Sequence, residues 1–369
     1  MSASAPGADV VLGRDPELAG LLDLLQRARA GRGGALVLRG DPGIGKSLLL
    51  STTVAAADGF TILSAAGIGV ESDLAFGALA ALVGPVLTEI GELPLIQAQS
   101  LRAAVGLASE DQVERLACHS AVVSLLAGAA STRPLLVVAD DIQWFDAGSR
   151  DALLFAARRM AADPVVFVMA IRDVAGENVL ETGLPEVRLT GLTQEPALEL
   201  IARGSAGVTR PVARRLWSQT AGNPLALIEI PRHLSAEQRA GRAVLQEPLP
   251  VGQRLEEAFA ARAAALPEPC QRALLVAAAS YTGATDTVFA ALEVMGLPAG
   301  ALDAAEEEGL VTITQGTLAW RHPLVRSAVY HAAGAPARRA AHAALAQAGG
   351  EARLADHRAW HLAAAAAAP

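Results

Sequence analysis

The chain has 369 residues, 52% of them hydrophobic and 4% aromatic, with a formal net charge of −8. That length exceeds one small core and predicts two or three domains, and the Ala- and Leu-rich, aromatic-poor composition suits a helix-rich α/β protein. The acidic balance argues against non-specific nucleic-acid binding, which needs clustered Lys and Arg against phosphate, and no uninterrupted apolar run is long enough to span a bilayer.

Residues 1–9 are small and polar and lack the basic start of a secretory signal, so the cytoplasm is the expected location. Gly13-Arg14 precedes an amphipathic helix whose Leu18, Leu21, Leu22, Leu24 and Leu25 fall largely on one face. Arg14 reads either as part of a simple N-terminal turn or as a neighbour of a bound nucleotide.

Residues 35–38 are an apolar run that stops at Gly40. The stretch Gly40-Asp41-Pro42-Gly43-Ile44-Gly45-Lys46-Ser47 then matches G-x-x-x-x-G-K-[ST] at every fixed position and opens an apolar helix. Gly43 and Gly45 let consecutive N–H groups turn inward toward phosphate, and the following helix adds the positive end of its dipole. Lys46 is placed to reach the β- and γ-phosphates, and the Ser47 hydroxyl to bind Mg²⁺.

Residues 60–65 read as a strand and residues 71–130 as mostly helical, with His119 a structural histidine. Cys118 and Cys270 lie far apart in apolar helical patterns, which predicts buried free thiols. Residues 134–146 read Pro-Leu-Leu-Val-Val-Ala-Asp-Asp-Ile-Gln-Trp-Phe-Asp. The apolar part has the pattern of a parallel strand buried on both faces, and acids at its carboxyl end lie where open α/β sheets bind ligands. Asp140 is placed to hold Mg²⁺, directly or through water, and Asp141 to orient or polarise an attacking water. The alternative is that one of the two caps the helix over residues 149–160. Residues 165–170 form another buried strand ending near Arg172. That arginine either senses a γ-phosphate or pairs with Asp140, Asp141 or Asp173. Residues 187–189 give a fifth short strand, and five strands with helical crossovers make a two-sided, mostly parallel sheet.

From residue 193 to 234 the pattern is helical, with Gly222-Asn223-Pro224 starting a helix over residues 225–230. Helices follow over about 255–266, 268–279, 287–295 and 300–308. A hairpin over 310–320 turns at Gln315-Gly316, and a helix starts near His322-Pro323. Helices followed by such a hairpin suggest a winged helix. Residues 251–330 hold five Arg, no Lys and nine Asp or Glu, and the helix before the hairpin carries Asp303, Glu306, Glu307 and Glu308. Those carboxylates have the wrong sign for phosphate, so direct DNA binding by these residues is not expected. From residue 336 the chain is helical and Ala-rich.

In order, the motifs are Val-Leu-Gly-Arg-Asp-Pro-Glu-Leu, the Gly40–Ser47 loop, Asp-Asp-Ile-Gln-Trp-Phe-Asp, Ala-Ile-Arg-Asp, Ala-Gly-Asn-Pro-Leu-Ala-Leu and Trp-Arg-His-Pro-Leu-Val-Arg-Ser-Ala-Val-Tyr. Together they resemble the ATPase region of large ATP-binding LuxR-type transcriptional regulators, members of the STAND class of P-loop ATPases with an AAA-like ATPase domain. The resemblance implies a P-loop NTPase domain of ASCE type over residues 1–190, a helical lid over 191–250 and a winged helix over 251–335. It makes residues 336–369 the start of a helical-repeat region. It implies ATP or ADP with Mg²⁺ as ligands, and it places Pro224 of the lid and His322 of the winged helix near the nucleotide. Pro323 departs from the aspartate that follows the histidine in related proteins. Family members continue into a long helical-repeat region and a basic helix-turn-helix, and this chain is expected to reach only the start of the first. The expected function is a slowly hydrolysing switch, closed with ADP and open with ATP. A partner protein or self-association through the C-terminal helices is expected, and no membrane. A fast ATPase or phosphotransferase and a non-hydrolysing scaffold remain the alternatives.

Overall fold

The computed structural model describes residues 11–67, 75–107, 114–172, 180–245, 249, 260–280, 284–314, 316–320, 323–348 and 355–366. They fall into two compact units. The first draws on residues 1–41, 45–173 and 180–189, and the second on residues 42–44, 174–179 and 190–369.

In the first unit, α1 (Asp15–Arg29) buries Leu21, Leu24, Leu25 and Ala28, the i, i+3, i+4, i+7 stripe of an amphipathic helix. Asp15 and Glu17 in its first turn and Arg27 and Arg29 in its last complement the helix dipole. Then come β1 (Gly34–Gly40), α2 (Lys46–Ala56), β2 (Thr61–Ala66), α3 (Gly77–Val83), a 3₁₀ segment (Gly84–Glu92), α4 (Leu95–Ala104) and α5 (Arg115–Ala130). The unit continues with β3 (Leu135–Asp140), a 3₁₀ turn (Ile142–Trp144), α6 (Ala147–Ala157), β4 (Val165–Arg172) and β5 (Glu186–Arg188).

The five strands form one sheet in the order β2-β3-β4-β1-β5, and every pairing is parallel. A strand (β4) therefore lies between the loop strand β1 and the acid strand β3. All residues of β3 and β4 except their last are buried, as continuous apolar runs covered on both faces require. Val37, Leu63, Val137, Phe167 and Met169 from the sheet share a core with Leu79, Leu82, Leu125 and Leu126. Because the strands are parallel, Gly40, Asp140 and Arg172 end β1, β3 and β4 at one edge, with Gly40 in register with Arg172 and Asp140 with Ala66. Cys118 is buried and free, and burial pushes its thiol up to about 11. His119 sits 5.2 Å from the Phe155 ring, and burial lowers its pKa, as suits a structural histidine.

In the second unit, α7 (Gln194–Gly204), α8 (Arg210–Gln219) and α9 (Pro224–His233) follow one another. Helices Glu268–Ala279, Thr285–Val294 and Asp303–Glu307 precede an antiparallel hairpin of β6 (Val311–Thr314) and β7 (Thr317–Trp320), and Ala284 bridges to Thr317. Helices Pro323–Ala332, Ala335–Ala348 and Ala355–Ala365 complete the described residues. One core runs through this unit from Leu192, Leu216, Leu227 and Ile230 to Leu274, Leu292, Leu324 and Leu345. Cys270 is buried and free. Two histidines are also buried here: Tyr330 Oη lies 2.8 Å from His342 Nε2, and His342 Nδ1 lies 2.9 Å from His361 Nδ1. No helix of the described residues is long and apolar enough to cross a membrane.

Candidate nucleotide-binding site

The turn after β1 reverses through left-handed backbone at Gly43 (φ 74°) and Gly45 (φ 104°), conformations that L side chains rarely adopt. Gly45 is the N-cap of α2, so the loop delivers the helix N-terminus to the carboxyl edge of the sheet. Lys46 is buried, and its ammonium donates to the carbonyls of Gly40 at 2.7 Å and Asp41 at 3.0 Å. Burial pulls its pKa down to about 8; Arg172 adds to this, while Asp141, Asp140 and Asp41 oppose it.

Ser47 Oγ donates to Asp140 Oδ2 at 2.6 Å, which joins α2 to the end of β3. The other oxygen of Asp140 accepts the Asp141 N–H at 2.9 Å. Asp141 has left-handed backbone (φ 50°), which Asp tolerates better than most residues, and it starts the 3₁₀ turn. Its carboxylate takes a bidentate pair from Arg172, Nε to Oδ1 at 2.8 Å and Nη2 to Oδ2 at 2.5 Å. Those hydrogen bonds are the first cause of the raised Arg172 pKa. Of the three acids that the sequence offered Arg172, Asp141 is the one it holds; Asp173 lies outside the described residues.

Three further residues support this edge; Gln143 and Asp146 belong to the Asp-Asp-Ile-Gln-Trp-Phe-Asp segment that carries the resemblance, but the sequence assigns them no role. Gln143 donates from Nε2 to Asp141 Oδ1 at 3.0 Å and accepts the Arg172 main-chain N–H at 3.1 Å. Asp146 caps α6 by accepting from Ser149 N, and the same oxygen accepts from Phe76 N at 2.9 Å. The capping acid is thus Asp146, five residues beyond Asp141. Arg39 is buried just before Gly40, and its guanidinium holds Glu186 and the Leu180 carbonyl. Its hydrogen bond to Glu186 is the main reason that carboxyl stays below its ordinary range.

Lys46, Ser47, Asp140, Asp141 and Arg172 therefore meet at one sheet edge. Arg14 is buried at the start of α1, 3.5 Å from Glu17, and burial lowers its pKa. In the second unit, Asn223 caps α9 and its Nδ2 donates to the Pro42 carbonyl at 2.9 Å, while Leu225 N donates to Gly43 O at 3.2 Å. Pro224 is the first residue of that helix. His322 lies outside the described residues.

Residues 10–168 match the family model of the AAA ATPase domain. None of the curated proteins matches the chain. Among solved structures, the chain is similar to a Walker-type ATPase of Pyrococcus abyssi, at 15% identity over 86% of this chain and 96% of that one, with a TM-score of 0.51. The ORC2 protein of Aeropyrum pernix in its ADP form matches at 15% identity over 89% and 96%, with a TM-score of 0.47. A STAND protein with a tetratricopeptide repeat sensor from Pyrococcus horikoshii matches at 18% identity over 93% of this chain and 46% of that one, with a TM-score of 0.41. With the loop, the acid strand and the strand order, these likenesses show a P-loop NTPase-like fold, and residues 10–168 are similar to the AAA ATPase domain.

Proposed function

We propose that the chain is an ATP-binding, slowly hydrolysing regulatory switch of the LuxR-type regulator kind, closed with ADP and open with ATP. The observation that carries the reading is the apposition of Ser47 with Asp140 beside the Asp141–Arg172 pair at the mouth of the phosphate loop. The loop N–H groups and Lys46 take the phosphates. Asp141 orients the attacking water, and Arg172 reads the γ-phosphate.

The donor set suits Mg²⁺. Ser47 Oγ and Asp140 Oδ2 are hard oxygens 2.6 Å apart. That is close to the separation of about 2.9 Å between neighbouring ligands in an octahedron with bonds of about 2.0–2.1 Å. When bound, the ion supplies charge neutralisation on the β- and γ-phosphates.

In this reading residues 191–250 are the lid and residues 251–335 a winged helix, with Arg14, Pro224 and His322 toward the nucleotide. The resemblance in motif order supports those parts. Nucleotides shift such a switch only by their differential affinity, and moving it from 1:99 to 99:1 needs about 5.5 kcal/mol. Losing the charge-assisted contacts of a γ-phosphate supplies part of that difference.

Three measurements test the reading. The nucleotide that co-purifies is expected to be ADP, and an empty site counts against a closed resting state. Steady-state turnover is expected well below about 1 s⁻¹; sustained faster turnover favours an ordinary ATPase or phosphotransferase. ATP binding with no phosphate release, even in a single turnover, would leave a scaffold.

A further inference from the structure

Gln143 sits in the 3₁₀ turn between β3 and α6 and makes two hydrogen bonds of opposite polarity. Its Nε2 donates to Asp141 Oδ1, and its Oε1 accepts from the main-chain N–H of Arg172. A carboxylate only accepts and a main-chain N–H only donates, so the amide has one workable orientation. Glutamate in its place keeps the acceptor and loses the donor. Methionine keeps the length and loses both.

With the Arg172 guanidinium on Asp141, these bonds close a ring. Arg172 reaches Asp141, Asp141 takes Gln143, and Gln143 takes the backbone of Arg172. The ring joins the turn after β3 to the last residue of β4, which is in register with Gly40 of the phosphate loop. Asp141 is held on left-handed backbone at the head of the same turn. Among the described residues, two side-chain donors set its carboxylate: the bidentate Arg172 and the single Gln143.

We propose that Gln143 is a positioning residue for ATP hydrolysis, keeping the Asp141 carboxylate aimed when Arg172 turns from it to a γ-phosphate. The inference rests on the switch reading above. An arginine cannot hold its carboxylate bidentately and also present the same N–H groups to phosphate. Once it moves, Gln143 remains as the side-chain donor on Oδ1, and Oδ2 is released toward water. The anchor at the Arg172 main chain keeps Gln143 referenced to β4 while the arginine side chain swings.

The test compares Gln143→Glu and Gln143→Met with the unaltered chain. Single-turnover ATP hydrolysis and the Kd for ATP in Mg²⁺ are measured on each. Both variants are expected to hydrolyse about 10-fold or more slowly, with a Kd within about 2-fold of the unaltered chain. In the background of Arg172→Ala, the loss on adding Gln143→Glu should differ from the loss in the unaltered chain, because the three groups act as one network. A packing role predicts instead that Gln143→Met is harmless, or that affinity falls in step with rate; either result overturns the proposal. Asp141→Asn serves as the reference. If the unaltered chain does not hydrolyse, or Asp141→Asn hydrolyses at its rate, the underlying reading falls and takes this inference with it. If Asp141→Asn is slow while Gln143→Glu is unchanged, the inference alone falls.

Discussion

Ser47 and Asp140 share a 2.6 Å hydrogen bond across 93 residues of sequence. The bond joins the first turn of α2 to the last residue of β3, so the hydroxyl and the carboxylate are held together at the sheet edge. Asp140→Asn keeps an acceptor for Ser47 but removes the charge. We expect it to weaken ATP binding about 10-fold or more in Mg²⁺ and to leave binding in EDTA unchanged. Titration of ATP with and without the ion checks this; equal losses in both conditions would remove Asp140 from the metal.

Lys46 donates to two loop carbonyls, Gly40 and Asp41, and is the loop's cation. Lys46→Ala should lower ATP affinity by about 10- to 100-fold, the range for a lost charge-assisted contact. Intact affinity would sink the phosphate assignment.

Asn223 is fully buried and does two jobs. Its Oδ1 caps α9 through Ala226 N, and its Nδ2 serves the Pro42 carbonyl. Asn223→Ala should cost about 1 kcal/mol for the cap and roughly 1–3 kcal/mol for the carbonyl left without its donor. Asn223→Asp keeps the cap and loses the donor, so it separates the two. Urea unfolding of both variants gives the comparison, and equal midpoints for Asn223→Asp and the unaltered chain would show that the Pro42 bond contributes nothing.

The buried pair His342 and His361 predicts an acid-sensitive second unit. Burial, with the neighbouring charges of His361 and Arg338, holds the His342 pKa down to about 4. The unfolded chain therefore takes up the proton first. Stability from this site is complete above about pH 6.5 and is lost as pH falls from there toward about 4, by up to about 3 kcal/mol. His342→Gln should flatten the dependence. Urea midpoints at pH 7.5 and pH 5 decide it: the same midpoint for the unaltered chain at both values would contradict a neutral buried His342.

The parts of the fold that could be read in sequence are those whose chemistry is local. Gly43, Gly45, Lys46 and Ser47 announce their loop because only those residue types fit its backbone and its ligand. β3 and β4 announce themselves because strands covered on both faces must be apolar throughout. The helix predicted over residues 268–279 is observed as Glu268–Ala279, and that predicted from residue 287 begins at Thr285. What sequence left open was pairing. Asp140, Asp141 and Asp173 were equal candidates for Arg172 until β3 and β4 lay side by side. Gln143 and Asp146 stand in the Asp-Asp-Ile-Gln-Trp-Phe-Asp motif, but their roles are not legible from it, since their partners, the Arg172 and Phe76 main-chain amides, are 29 and 70 positions away. The 3₁₀ segment Gly84–Glu92 lies inside a stretch whose sequence signals only helix.

Lys46 is the only lysine in the 369 residues. Any acyl group transferred to a lysine of this sequence therefore lands in the phosphate loop, on an amine already turned toward the Gly40 and Asp41 carbonyls. Such an adduct removes the ammonium charge and sets a bulky amide among those carbonyls. Lysine acylation of this chain, wherever it arises, is a report on one side chain.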